Sequence, residues 1–337
     1  MNGRLENSLK REGRIRTCLN GTPDYVVKWD NYLATYGRET TTRADYITKI
    51  KKFLKYINND ISKVAVEDFT KMNVDGYLAT LVTTIDVKGN IRKTSDSYKQ
   101  TVWCCLNSFF EFLIEYGYIK EKPINMKKKP KNNDLSRINS NRVLLDKYDF
   151  KDIIEAVEEG AGSWKAKTRQ KKWKNRDLSI MYLFLTTGMR ESALSEINIS
   201  DIDWEENKIV VTDKGDKTHE YYLTDKTRES IMNWLEDRRE LYVENEDALF
   251  ITYQGKRVSA KTLQRLVDKY CMEAFREHIS PHKLRAGFCS IMYDKTKDIE
   301  KVRRMVGHSN ISTTQRYIVT NRQEKREATE IMNSIFD

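Results

Sequence analysis

The sequence predicts a mainly α-helical protein with one small β-sheet, an α+β fold whose two domains are joined by a basic linker. Three observations lead to this prediction. Apolar residues recur every three or four positions along much of the chain, which is the spacing of amphipathic helices. A segment with several lysines and two prolines, residues 120–142, interrupts that pattern. Two β-prone runs, Ile209–Val211 and Tyr221–Leu223, flank a Lys-Gly pair and predict a hairpin.

The first domain, residues 23–119, is predicted to be helical and follows an N-terminal extension of residues 1–22. Residues 85–93 are predicted to form a loop with a turn at Gly89-Asn90. Apolar stripes at helical spacing predict three helices in this domain, namely Tyr46–Ile57, Val66–Thr83 and Val102–Ile114.

The second domain, residues 143–337, follows the linker of residues 120–142. The linker holds eight basic residues against two acidic ones and offers few apolar residues for burial. It is therefore either a solvated tether or a strap that lies across phosphates. Besides the hairpin, the predicted elements are a helix capped by Asp146 or Asp149, an apolar helix that ends near Gly188, and helices at Arg228–Val243 and Lys261–Glu277.

Composition narrows the classes of protein. Lys and Arg number 60 against 50 Asp and Glu, so the net charge is +10, which favours a polyanionic partner such as nucleic acid over a merely basic protein. No apolar run approaches the roughly 18 residues of a membrane span, and the charged N-terminus does not resemble a signal peptide. The five cysteines show no metal-binding spacing. We expect free thiols in a cytoplasmic, nucleoid-associated protein without a metal.

Two basic segments are candidates for contact with phosphates. One is the linker, and the other is Trp164–Arg176, which carries seven cations, no acid and two tryptophans. A solvated surface is the alternative for both segments. The candidate DNA-binding residues are Lys127, Lys128, Lys129, Lys131, Lys171 and Lys172.

The last fifth of the chain contains a set of residues suited to phosphodiester chemistry. PHKLRAGF and GHSNISTTQRYI together supply His282, Arg285, His308 and Tyr317, although the whole chain has only four histidines. Arginine matches two phosphate oxygens and keeps its charge, so it stabilises the negative charge of the transition state. A tyrosine can attack phosphorus, and histidines can donate or accept protons near neutral pH.

Two further groups come from upstream. Arg190 ends the segment LTTGMR, where Gly188 allows a sharp turn after the apolar helix. Lys214 lies at the tip of the predicted hairpin and could act as general acid toward the leaving oxygen. Taken singly, each of these residues is more often a surface or packing residue, but their ordered conjunction favours a site.

This ordered set resembles the tyrosine recombinase (phage integrase) family. The motifs that carry the resemblance are TTGMR, TDKGDK, HKLR and GHSNISTTQRY. The resemblance implies that the first domain clasps DNA and that Tyr317 forms a 3′-phosphotyrosine link. It further implies that Arg190 and Arg285 hold the phosphate, that His282 and His308 support it, and that Lys214, or alternatively Lys217, protonates the leaving 5′ oxygen.

The resemblance also implies partners. They are double-stranded DNA with inverted-repeat core sites, a homotetramer that exchanges strands through a Holliday junction, and accessory DNA-bending or excision factors, with no cofactor and no membrane. The tail after Tyr317 has an apolar helical face that is expected to dock on its own domain or on a neighbouring protomer. That face consists of Ala328, Ile331, Met332 and Ile335.

One position departs from the family pattern, since Ala193 stands where the family usually has an acid three residues after the first arginine. The favoured function is a recombinase that integrates or excises a mobile element. The alternatives are a recombinase that resolves chromosome or plasmid dimers, a type IB topoisomerase-like enzyme, and an inactive DNA-binding regulator. The presence of all six residues argues against the regulator.

Overall fold

The computed structural model describes residues 3–85, 91–125, 129–130, 145–213, 217–243 and 247–307. The chain divides into two compact units, residues 5–141 and residues 142–337, with the first four residues assigned to the second unit. Both are rich in helix, and a three-stranded antiparallel sheet lies in the second unit. The predicted fold class is confirmed.

The first unit is built from five helices and a small hairpin within the described residues. Short 3₁₀ turns at Ile61–Lys63 and Val66–Asp68 precede the fourth helix. The elements are α1 Gly3–Leu19, α2 Asp24–Thr35, α3 Thr40–Ile57, α4 Lys71–Thr80, β1 Thr83–Ile85, β2 Ile91–Lys93 and α5 Asp96–Glu115.

Aromatic rings fill the core of this unit. Trp29 and Phe109 are fully buried with their ring centroids 5.1 Å apart, and Phe53 lies 5.2 Å from Tyr77. Burial at three- and four-residue spacing explains why the stripes of α3 and α5 were visible in the sequence. Ile124, inside the predicted linker, is also buried in this core.

One helix of this unit was not predicted, and two local predictions were wrong. Helix α1 occupies most of the predicted N-terminal extension, and it was missed because charged residues outnumber its few buried ones, such as Ile15. The predicted loop at residues 85–93 begins and ends in strands, because β1 and β2 pair antiparallel; its turn at Gly89-Asn90 lies outside the described residues. The helix predicted from Val66 starts only at α4, where the Thr70 side chain caps it by accepting a bond from the backbone N–H of Asn73 at 3.2 Å.

The second unit contains eight helices and the sheet within the described residues. Short 3₁₀ turns at Lys171–Trp173 and Ile199–Asp201 connect some of them. The elements are α6 Lys147–Glu159, α7 Trp164–Gln170, α8 Lys174–Thr187, α9 Glu191–Glu196, β3 Ile202–Asp203, β4 Lys208–Asp213, β5 Lys217–Tyr222, α10 Asp225–Arg239, α11 Ala260–Phe275, α12 Pro281–Thr296 and α13 Ile299–Met305.

Helix α8 is the centre of this unit. Eight of its residues are buried, and it packs against α6, α10 and α12. Asp146 caps α6 by accepting bonds from the N–H groups of Tyr148 and Asp149, and the Asp149 carboxylate completes a capping box. Both acids proposed for this cap therefore take part in it.

The sheet has the order β3-β4-β5 and is antiparallel throughout. Strand β4 pairs with β5 from Lys208 opposite Tyr222 to Asp213 opposite Lys217. This pairing confirms the predicted hairpin and fixes its register. The tip of the hairpin, with Lys214, lies outside the described residues.

Candidate active site

Helix α8 ends at a glycine that no other residue could replace without strain. Gly188 has φ +61°, in the left-handed region, and a Cβ atom there would approach the ring of Phe288 to 2.5 Å. The chain must turn here to reach Arg190. The residues just before the first predicted arginine are therefore set by packing against α12.

Arg285 lies on α12 and is only 2% exposed. Its Nη1 donates to the carbonyl oxygen of Gly188 at 2.6 Å, and its Nη2 donates to the carbonyl oxygen of Val306. These bonds tie α12 to the end of α8 and to the residues that follow α13. The guanidinium is thus fixed in one orientation by two acceptors from different parts of the chain.

Arg190 precedes α9 and is half-buried. Its Nη2 donates to the carbonyl oxygen of Gly307 at 3.4 Å. Arg190 and Arg285 are 95 positions apart in the sequence, yet they bond to adjacent residues of one turn. The structure therefore brings these two predicted site residues together.

A third side chain reaches the same turn. His219, on β5, has its Nε2 3.0 Å from the carbonyl oxygen of Met305. Three successive carbonyls, those of Met305, Val306 and Gly307, each contact a different basic or imidazole side chain. We call Met305–Gly307 the carbonyl turn; in the sequence, His308 follows it directly.

His219 was not among the site residues predicted from the sequence. The available signal was its identity as one of four histidines and its position two residues after Lys217. Its partner is a backbone carbonyl 86 residues away. Every residue has such a carbonyl, so neither residue type nor spacing in the sequence indicates which one a side chain contacts.

The other predicted site residues stand as follows. His282 is exposed at the second position of α12, three residues before Arg285 and thus close to it along the helix. Lys217 opens β5 opposite Asp213. Lys214, His308 and Tyr317 lie outside the described residues, as does the predicted face of the tail.

Position 193, where an acid was expected, is in the core. Ala193 is 3% exposed and belongs to the apolar cluster around α8. A carboxylate there would be costly unless a partner compensated it. Glu191, the residue next to Arg190, accepts a hydrogen bond from Gln264 Nε2 at 2.6 Å, so its carboxylate is directed toward α11.

The candidate DNA-binding lysines differ in setting. Lys171 and Lys172 are exposed on the 3₁₀ turn before α8. Lys129 is exposed, with its ammonium 5.8 Å from the centroid of the Trp103 ring. Lys127, Lys128 and Lys131 lie outside the described residues.

Part of the basic segment Trp164–Arg176 serves the fold instead. Arg176 donates to the Asp177 carboxylate at 2.7 Å and to the carbonyl oxygen of Ile251 at 3.0 Å, and it stacks over Trp173. Lys167 pairs with Glu273 at 3.5 Å. Two of the seven cations of this segment, Arg176 and Lys167, are therefore paired within the fold and are less available to contact DNA.

The described residues contain neither a metal-binding cluster nor a membrane-spanning helix. They contain no group of three or more His, Cys, Asp or Glu side chains placed to hold a metal ion. Among the helices in the described ranges, none has the length and apolar character needed to cross a bilayer.

Comparison with known proteins defines the class of protein. Residues 144–324, more than half of the chain, match the phage integrase family. The chain belongs to that family and is a tyrosine recombinase, an enzyme that cleaves and rejoins DNA.

Individual relatives agree over most of their length. The chain is 28% identical to the tyrosine recombinase XerC of Psychromonas ingrahamii over 289 residues. The aligned region covers 85% of this chain and 88% of that protein. It is 27% identical to the XerC of Thermodesulfovibrio yellowstonii, over 89% of this chain and 92% of the relative.

Solved structures share the fold. The XerH site-specific recombinase bound to its palindromic difH substrate matches with a TM-score of 0.64 and 20% identity, covering 87% of this chain and 80% of that one. A lambda integrase (75–356) dimer bound to a COC′ core site matches with a TM-score of 0.60 and 18% identity, covering 87% and 93% of the two chains.

Proposed function

We propose that this protein is a site-specific DNA recombinase in which Tyr317 is the nucleophile and Arg190 and Arg285 hold the scissile phosphate. The observation that carries the proposal is the convergence of the two arginines on the carbonyl turn, directly before His308 in the sequence. Family motifs supply the remaining assignments, with His282 and His308 supporting the phosphate and Lys214 acting as general acid.

The arrangement of the arginines suits this chemistry. A phosphodiester gains negative charge on its nonbridging oxygens in the transition state, and cations that are already oriented stabilise that charge without reorganising. Arg285 is buried and anchored by two carbonyls, so its orientation is set before DNA binds. Arg190 is half-buried and bonds to Gly307, so it retains a surface toward solvent and toward a bound phosphate.

The proposed reaction balances without a metal or a nucleotide cofactor. The phenol oxygen of Tyr317 attacks phosphorus and loses its proton to a neighbouring histidine. The bond to the 5′ oxygen breaks, and Lys214 transfers a proton to that oxygen. The 3′-phosphotyrosine bond conserves the energy of the phosphodiester, so attack by another 5′ hydroxyl rejoins the DNA.

The partners in this proposal are DNA with inverted-repeat core sites and three further copies of the chain. Support comes from the fold, since the matching structures include a lambda integrase tetramer bound to a Holliday junction, with a TM-score of 0.59 and 18% identity. Exposed Lys171 and Lys172, together with the basic linker, are the proposed backbone contacts.

Two biological roles remain as candidates. The sequence alone favoured integration or excision of a mobile element, whereas the curated relatives, which match over most of their length, are named tyrosine recombinase XerC. That similarity favours the alternative of resolving DNA dimers at a resident site. Sequencing the junctions made in cells would separate the two roles, since resolution joins two copies of one resident site and integration joins unlike sites.

The central test is a covalent trap. A nicked suicide DNA site incubated with the wild-type protein should give a protein–DNA adduct that survives denaturant. Tyr317→Phe should give none, because the phenol oxygen that attacks phosphorus is gone. Tyr293→Phe, which removes a half-buried hydroxyl on α12, is the matched control and should retain the adduct. An adduct formed by Tyr317→Phe would overturn the assignment.

A further inference from the structure

His219 connects the hairpin to the carbonyl turn. It lies on β5 opposite Val211, two pairs from the last described pair of the hairpin, Asp213 and Lys217. Strands rise about 3.3 Å per residue, so His219 is roughly 7 Å from that end. Its ring is half-buried and packs edge-on against Tyr221, with centroids 4.5 Å apart.

The bond to Met305 constrains the imidazole. A carbonyl oxygen can only accept, so Nε2 of His219 must carry the proton. The bond therefore fixes which ring nitrogen donates and links β5 to the turn at Met305.

Gly307 shows that the turn is shaped for this ring. It has φ +66°, in the left-handed region, and a Cβ atom there would lie 3.2 Å from Nδ1 of His219. Any larger residue would be strained in its backbone and would press on the imidazole. The hydrogen bond and the close approach are separate observations, and both join β5 to the carbonyl turn.

We propose that His219 is a positioning residue that holds the β4–β5 hairpin against the carbonyl turn. It thereby sets the hairpin lysine relative to the phosphate that Arg190 and Arg285 bind. This inference rests on the proposed function, because it assumes that a lysine of this hairpin protonates the leaving oxygen. Reacting groups must be placed to within about 1 Å, since such a displacement can cost about 10²-fold in rate.

The test compares two leaving groups in the full-length protein. One suicide substrate carries the normal phosphodiester, and the other carries a 5′-bridging sulfur, which leaves without protonation. His219→Ala should slow cleavage of the normal substrate by about 10- to 100-fold and should cleave the sulfur substrate at close to the wild-type rate. DNA binding, measured by gel shift, should not change.

Three further variants test whether the effect of His219→Ala comes from the contact of this imidazole with the carbonyl turn. His219→Gln should retain most activity, because its amide nitrogen can donate to the same carbonyl. Gly307→Ala should slow cleavage of both substrates, since it displaces the ring and also strains the turn whose carbonyl Arg190 contacts. His278→Ala removes an exposed imidazole that bonds Asp268 on α11, and it should cleave both substrates normally.

The outcomes separate this inference from the proposed function. Lys214→Ala and Lys217→Ala are run on the same two substrates. If sulfur rescues one lysine variant but not His219→Ala, or if His219→Ala cleaves normal DNA at the wild-type rate, the positioning role is wrong while the general acid stands. If sulfur rescues neither lysine variant, the general acid assignment is wrong, and the role of His219 is wrong with it.

Discussion

The two units bury their large side chains in different ways. In the first unit, the core is a network of aromatic rings contributed by α2, α3 and α5 and their connections. In the second unit, most core residues are aliphatic, with a few rings such as Trp234 among them, and buried arginines bond to backbone carbonyls around the core. The contrast shows which parts of the molecule need only to be packed and which need a fixed geometry.

Ring packing in the first unit tolerates several arrangements. Phe109 contacts Tyr25, Trp29, Phe69 and Phe110 at centroid distances between 5.1 and 6.0 Å, with angles from tilted to perpendicular. Such contacts bury large apolar areas, and both tilted and edge-to-face arrangements are favourable. The buried arginine of this unit that the structure describes, Arg43, pairs with carboxylates instead of carbonyls.

Arginines in the second unit act as directional links. Arg257 donates to the carbonyl oxygen of Ile197 at 2.9 Å and to Asn198 Oδ1 at 2.6 Å. Arg238 donates to the carbonyl oxygen of Ala248 at 2.9 Å. Like Arg285, each joins two segments that are distant in sequence or lack regular structure. Of these links, the bonds of Arg285 to Gly188 and Val306 hold the candidate site in a defined direction.

Arg285→Lys should give the largest effect. A lysine keeps the positive charge but cannot direct two donors to Gly188 and Val306. We expect a loss of cleavage of at least about 10³-fold and a fall in the free energy of unfolding of about 2–3 kcal/mol. Single-turnover cleavage and urea unfolding measure the two effects.

Arg257→Lys is the matched control for that experiment, since it weakens a buried link elsewhere in the same unit. It should lose similar stability but retain cleavage at a temperature where it is folded. Equal loss of cleavage in the two variants would mean that the arginine links serve the fold alone.

Phe109→Ala tests the aromatic core of the first unit. Removing this fully buried ring should lower the free energy of unfolding of that unit by about 3–5 kcal/mol. Hydrogen exchange of the full-length protein should show faster exchange in α2 and α5, whereas amides of α8 and α12 should keep their protection. Loss of protection in both units would show that their cores are not independent.

Thiol labelling gives the smallest effect and needs no mutation. Cys18 and Cys104, both in the first unit, are half-buried, whereas Cys105, Cys271 and Cys289 are buried. Burial raises the pKa of Cys271 to about 12 and that of Cys289 to about 11, so both remain thiols at pH 8 and react poorly.

Iodoacetamide at pH 8 should therefore label Cys18 and Cys104 in the native protein and all five cysteines after unfolding, as mass spectrometry would show. Labelling of Cys271 as fast as Cys104 would mean that the second unit opens readily. The same assay then reports opening of either unit in the variants above.

Periodic burial was predictable from the sequence, and long-range bonds to the backbone were not. The stripes of α3 and α5 and the alternation of β4 and β5 repeat with the period of their structures. Arg190 and Arg285 were found because their types and order match a family motif. His219 was missed because its partner is the carbonyl of Met305, a group that every residue carries.

At two places, the charged residues of the sequence do not indicate the structure that forms. Helix α1 was not predicted because of its polar composition, and the cations of Trp164–Arg176 suggested a contact with phosphates although Arg176 bonds within the fold. The bond from Arg176 to Ile251 spans 75 positions, and that from Arg43 to Glu12 of α1 spans 31. Neither composition nor local spacing records contacts of this kind.

The carbonyl turn has a consequence for how salt should act on this enzyme. Mobile ions screen charges that face water, and they have much less influence on a group enclosed by protein. Arg285 exchanged its hydration shell for backbone oxygens when the chain folded, whereas Lys171 and Lys172 remain hydrated. Raising the ionic strength should therefore weaken the capture of DNA steeply, while the rate of strand cleavage in complexes already formed changes little.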